Sequence, residues 1–158
     1  MFFIINYGDI MRTYYIFKIN KYFSYVYKNK PYKIYKMLEE ICHTKEYDMV
    51  LTYRMYEQVA LSFDKNKLNE YITSIYSETG KYIKNKNTHL YSDNYEYSKL
   101  VINNSNLKIK SNINNPIFFK SINNYTDNIF VCDFINKDYF WLGELLKKDR
   151  QNNEYLVK

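Results

Sequence analysis

Asn128-Ile-Phe-Val-Cys-Asp-Phe-Ile-Asn-Lys-Asp-Tyr-Phe-Trp-Leu142 is the stretch whose reading decides the fold. Ile129 to Phe134 is apolar apart from Asp133 and rich in β-branched and aromatic residues. That length and composition suit a strand buried on both faces better than a helix. Asn136-Lys137-Asp138 is turn chemistry, because Asn and Asp bond their own backbone and tolerate left-handed φ. Tyr139 to Leu142 is a second short apolar run and holds the only tryptophan. The stretch therefore predicts a central strand, a tight corner and a short return strand whose indole closes a core.

The elements before it are legible from pattern. Arg12 to Ile19 is aromatic and β-branched, which predicts a strand. Lys21 to Lys28 places Phe23 and Tyr27 at i, i+4 on one face of a short helix. Pro31 suits the first turn of a second helix, with Ile34, Leu38, Ile41 and Cys42 as its stripe and His43 at its end. Glu46 to Ala60 predicts a third helix through Val50, Leu51, Met55 and Val59. Asp64 caps a fourth, with Leu68, Tyr71, Ile72 and Ile75 on one face and Gly80 as its stop.

Lys81 to Asp93 is polar and aperiodic and is expected to be a surface loop. From Tyr95 the period becomes two. Leu107 and Ile109 alternate with Lys108 and Lys110 across an Asn103-Asn104-Ser105-Asn106 turn, which predicts a hairpin with one solvated face. Asn115-Pro116 opens a short helix carrying Ile117, Phe118 and Ile122. The expected architecture is α/β (α+β): a single domain with a mixed β-sheet of about five strands covered by helices. Residues 1–10 are expected to be an N-terminal extension, with Met11 the natural start. Residues 143–158 are expected to form a charged, partly frayed tail.

Composition narrows the function. The 158 residues suit one core, and 3 glycines and 2 prolines leave no stretch that reads as a linker. The 20 tyrosines and 10 phenylalanines, with abundant Asn, Lys and Ile, follow the codon usage of an A/T-rich genome, which discounts their functional weight. Net charge is +6, but Arg12, Arg54 and Arg150 are the only arginines. The bidentate fork that reads guanine is therefore scarce, which argues against specific DNA readout. Cys42 and Cys132 lie in apolar surroundings without a CxxC pattern and are expected to be buried, reduced thiols. No window approaches the ~20 apolar residues of a membrane helix.

Reacting groups are hard to find. Gly8, Gly80 and Gly143 are too far apart for a phosphate-binding loop, so no nucleotide cofactor is expected. His43 and His89 have no second ligand at metal spacing, so neither is expected to hold a metal; they read as a helix-end and a loop residue. Asp133 would have a raised pKa if buried without partners, and could then be catalytic. The plainer expectation is a hydrogen-bonded structural carboxylate. No nucleophile, base and stabiliser come together, so the chain is expected to be no enzyme. Surface aromatics remain as binding anchors, with Phe23 and Tyr27 foremost; both packing inward is the alternative.

Two motifs point further. Met11-Arg-Thr-Tyr-Tyr-Ile-Phe-Lys-Ile19, followed by Phe23 and Tyr27, resembles the opening of the sporulation inhibitor of replication family, the SirA family. Asp133-Phe134, Tyr139 and Trp141-Leu142 resemble its closing Asp-Phe…Tyr-x-Trp-Leu. The resemblance spans roughly residues 11–142, and its middle, 44–93, matches in pattern only. Leu142-Gly-Glu-Leu-Leu departs from the family's proline-containing ending.

The resemblance implies a small cytoplasmic protein of spore-forming Firmicutes and their relatives that binds the N-terminal domain of the initiator DnaA and blocks new rounds of replication. Phe23 and Tyr27 fall on family positions at the DnaA-facing helix. An acetyltransferase-like enzyme and a basic nucleic-acid-binding module are the alternatives that a helix-covered sheet and the positive charge leave open.

Overall fold

The computed structural model describes residues 11–44 and 49–156. The expected extension at 1–10 and the predicted start of the third helix at Glu46 lie outside the described residues. The strand expected at Arg12 is there, as β1 (Arg12–Ile19). Its alternation puts Tyr14 and Ile16 into one core, and Phe17 and Ile19 into another on the opposite face.

β1 is the hub of the sheet. It pairs with β6 (Leu107–Ser111) on one side and with β7 (Ile129–Asp133) on the other, and its end also pairs with the two-residue β2 (Ala60–Leu61). The full path is β3-β4-β5-β6-β1-β7-β8, adding β3 (Tyr82–Asn85), β4 (Thr88–Ser92), β5 (Tyr97–Ile102) and β8 (Asp138–Trp141). Every pairing is antiparallel. The α+β class stands, but the sheet has eight strands rather than about five, and is antiparallel rather than mixed.

β7 is buried along its whole length, as its apolar run predicts. It is not central, however. It lies one strand in from the edge, and its second face is covered by helices. Burial on both faces produces the same apolar run wherever the strand stands in the order. The corner after it turns through Lys137 at φ 53, and β8 returns with Phe130 opposite Trp141.

Helices α1 (Lys21–Tyr27), α2 (Pro31–His43) and α3 (Met49–Val59) pack on one face through Phe23, Ile34, Tyr35, Leu38, Tyr56 and Val59. Helices α4 (Lys65–Tyr76), α5 (Ile117–Tyr125) and α6 (Leu142–Leu156) cover the other. α4 starts as predicted, with Asp64 Oδ1 accepting from the Lys67 N–H at 3.1 Å. α5 starts at Pro116, where the buried Glu96 carboxylate accepts the Ile117 N–H at 2.8 Å. An acceptor there satisfies one of the orphan donors of the first turn.

Two segments differ from expectation. Lys81 to Asp93 is not a loop but the β3–β4 hairpin, turning at Lys86 with φ 54. Its outer strand is almost wholly exposed, so it carries little apolar signal. Residues 143–156 are helix α6 rather than a frayed tail. Leu142 is buried and Leu145 and Leu146 pack against the core, which anchors the first turns.

Candidate functional site

The predicted anchors lie on α1. Asn20 caps this helix, its Oδ1 accepting from the Tyr22 N–H at 2.9 Å. Three further bonds fix its pose. The Asn20 N–H donates to the Val59 carbonyl at 2.9 Å, and Ser24 Oγ donates to Asn128 Oδ1 at 3.2 Å. Trp141 Nε1 donates to the Lys28 carbonyl at 3.2 Å, so the indole of the β7–β8 unit holds the helix end.

The structure brings Phe23 and Tyr27 together, with ring centroids 4.5 Å apart. Phe23 is 9% exposed and belongs to the core between α1–α3 and the sheet. Tyr27 is half-buried against that core. The remaining apolar residues of the helix point outward: Tyr22 is 78% and Tyr25 86% exposed, with Val26 beside them. Sequence periodicity placed Phe23 and Tyr27 on one face correctly. A two-turn helix whose faces are both aromatic gives no signal as to which face is outer. Further along the same layer, Tyr32, Met49, Val50, Leu51 and Tyr53 are exposed.

Asp133 is fully buried and fully partnered. Arg12 Nε donates to Asp133 Oδ2 at 2.9 Å, and Asn136 donates through its backbone N–H at 3.1 Å and its side chain at 2.7 Å. Burial alone would push its carboxyl up. The bonds from Asn136 and Arg12 outweigh it and hold the group below the ordinary carboxylate range, the opposite of the raised value a lone buried acid would show. Arg12 also bonds Asn114 and Asp138, both at 3.0 Å, and so ties β1, the segment before α5 and the β7–β8 corner together. This is a structural clasp.

His89 is no loop residue. It is fully buried in β4, between Asn69 of α4 at 2.7 Å and the Tyr82 hydroxyl at 2.6 Å. Cys42 is exposed rather than buried, while Cys132 is buried and its thiol is pushed up by that burial. Among the described residues no three of His, Cys, Asp and Glu gather at metal-binding distance. No described helix is long and apolar enough to cross a membrane.

One antiparallel sheet between two helical layers, with exposed apolar side chains on the α1–α3 side, defines a small α+β protein. The chain belongs to the family described as sporulation inhibitor of replication protein SirA, which matches residues 12–145. No curated protein matches the chain.

Proposed function

We propose that this protein is a non-enzymatic negative regulator of replication initiation that docks on the N-terminal domain of DnaA through the aromatic helix α1. Membership of a family described as inhibitors of replication carries this reading. The exposure of Tyr22, Tyr25 and Val26 beside the half-buried Tyr27 supports it, because aromatic side chains give large contact area at small entropic cost. In this arrangement Tyr27 and the exposed tyrosines touch the partner. Phe23 packs against the Tyr27 ring from the core side.

Titration calorimetry against the host's DnaA N-terminal domain tests it. Tyr27→Ala and Phe23→Ala should each weaken binding by at least about 2 kcal/mol, roughly thirtyfold. Phe23→Ala also removes core contacts, so its thermal melt is read alongside. Tyr25→Ala, at a fully exposed site, should weaken binding without moving the melt. Absence of any binding heat at tens of micromolar with the native chain would remove the proposal.

A further inference from the structure

The helices of the α1–α3 layer cover only part of their sheet face. The register identifies what lies on the rest. Leu90 stands opposite Lys99, Lys99 opposite Lys110, and Lys110 opposite Thr13. In the next row Val101 stands opposite Lys108, and Lys108 opposite Tyr15. The alternate residues of β5 and β6, from Ser98 to Ile102 and from Leu107 to Ser111, are all buried on the opposite face.

Three lysines thus share one open stretch of sheet. Lys99 and Lys110 are exposed and Lys108 is half-buried. Lys99 and Lys110 are direct cross-strand neighbours, an arrangement of like charges that is unfavourable on its own. Strands β3 to β6 contain no Asp or Glu, and among the described residues none of the three lysines forms an ion pair.

Beside them the face deepens. A groove of about 590 Å³ runs between β1, β6 and the end of α2, with Lys108 and Lys110 along one wall and Tyr15, Ile41, His43 and Phe134 among its other lining. The rings of Tyr15 and Phe134 lie 5.4 Å apart, and Lys108 Nζ sits 5.6 Å from the Tyr15 ring centroid. The volume falls within that of small-ligand clefts.

We infer that this open face is a binding site for single-stranded nucleic acid, distinct from the α1 surface. Phosphates lie on Lys99, Lys108 and Lys110, and a base enters the groove against Tyr15 and Phe134. Ammoniums are point charges that suit phosphate without reading sequence, and a ring beside them takes any base by stacking. A purely acidic peptide would satisfy the lysines but leave the aromatic groove unused. The duplex major groove is read chiefly by Arg forks, which this face lacks.

Fluorescence anisotropy of the full chain with a labelled oligothymidylate of roughly twelve nucleotides tests the assignment. Binding is expected with Kd between about 1 and 100 µM. Its logarithm should change with the logarithm of salt with a slope near 2 in magnitude, since three contacts contribute roughly 0.7 each. The combined Lys99→Gln, Lys108→Gln, Lys110→Gln variant should bind at least about tenfold more weakly, with the salt slope flattened. If circular dichroism shows that this variant misfolds, Lys99→Gln with Lys110→Gln, both at exposed positions, should still lower affinity and slope.

Three results would each overturn the assignment: no binding at about 100 µM in low salt, variants that bind like the native chain, or polyglutamate of equal length binding as tightly as the oligonucleotide. The last would make an acidic peptide the occupant. The variants leave α1 intact, so failure here does not touch the DnaA-domain titration.

Discussion

Phe130→Ala is expected to lower the stability of the fold by about 3–5 kcal/mol, the ordinary cost of deleting a fully buried phenylalanine. Phe130 has no exposed surface. It sits in a cross-strand row with Phe17 on one side and Trp141 on the other. Its ring meets the Trp141 indole edge-on at 5.1 Å and stacks on Tyr139 at 6.3 Å. These neighbours are fixed by three paired strands, so they cannot collapse into the vacancy, and the cavity adds to the lost transfer energy.

Domains of this size have about 5–15 kcal/mol in total, and each kcal/mol moves Tm by roughly 2–4 °C. A fall in Tm of about 10 °C is therefore expected. Urea unfolding followed by tryptophan fluorescence reads it directly, since Trp141 is the only tryptophan and lies in the same cluster. A loss under about 1 kcal/mol would mean that this row is not the seat of the core. Because Trp141 also holds the end of α1, the proposed docking on the DnaA domain should weaken in this variant as well, although Phe130 lies beneath the α1 surface and not on it.

The same row shows what was legible in the chain and why. The apolar stretch at 129–134 declared a strand with two covered faces, and the Asn136-Lys137-Asp138 corner declared the return. β-branched and aromatic content recovered β1, and alternation recovered the β5–β6 hairpin. The faces of α2 and α4 were recovered in part: Ile34, Leu38, Leu68 and Ile72 are buried, but Cys42 and Ile75 are exposed and Tyr76 takes the buried place on α4. Periodicity lost β3 because Ile83, Lys84 and Asn85 are all exposed, so no alternation is imposed on them. It lost α6 because the helix buries Leu142 and only partly Leu145 and Leu146, while the rest of its length is charged and open.

The lysine face was visible as alternation at Lys108 and Lys110. Its third member, Lys99, joins only through strand register, which a single sequence does not print. Polar burial was the least legible. Asn69 and His89 look like solvent residues, and only their contact across α4 and β4 makes each tolerable inside.

That pair gives the second large effect. The hydrogen bonds place one His89 proton. Asn69 uses its amide nitrogen to donate to Asn87 at 2.9 Å, leaving Oδ1 to accept from His89 Nε2–H. His89 Nδ1 lies 2.6 Å from the Tyr82 hydroxyl, a group that can donate or accept. Burial is what favours the neutral imidazole in the folded state. Burial, helped by the nearby Lys84 charge, depresses its pKa from 6.5 to about 4.

A histidine depressed on folding binds fewer protons in the native than in the unfolded chain between those two values. Stability thus rises with pH across that window and is lost as pH falls through it. Its contribution is complete above about pH 6.5 and gone below about pH 4, and amounts to something on the order of 3 kcal/mol. Asp133, Asp93 and Glu39, whose carboxyls are held below their ordinary values, add losses of the same sign that begin at about pH 5. The slope between about pH 6.5 and 5.5 is therefore the part that reports His89. Urea melts at half-unit steps should show it in the native chain. His89→Gln, which keeps a donor and an acceptor but cannot take up a proton, should flatten it. Equal slopes in the two proteins would place the titrating group elsewhere.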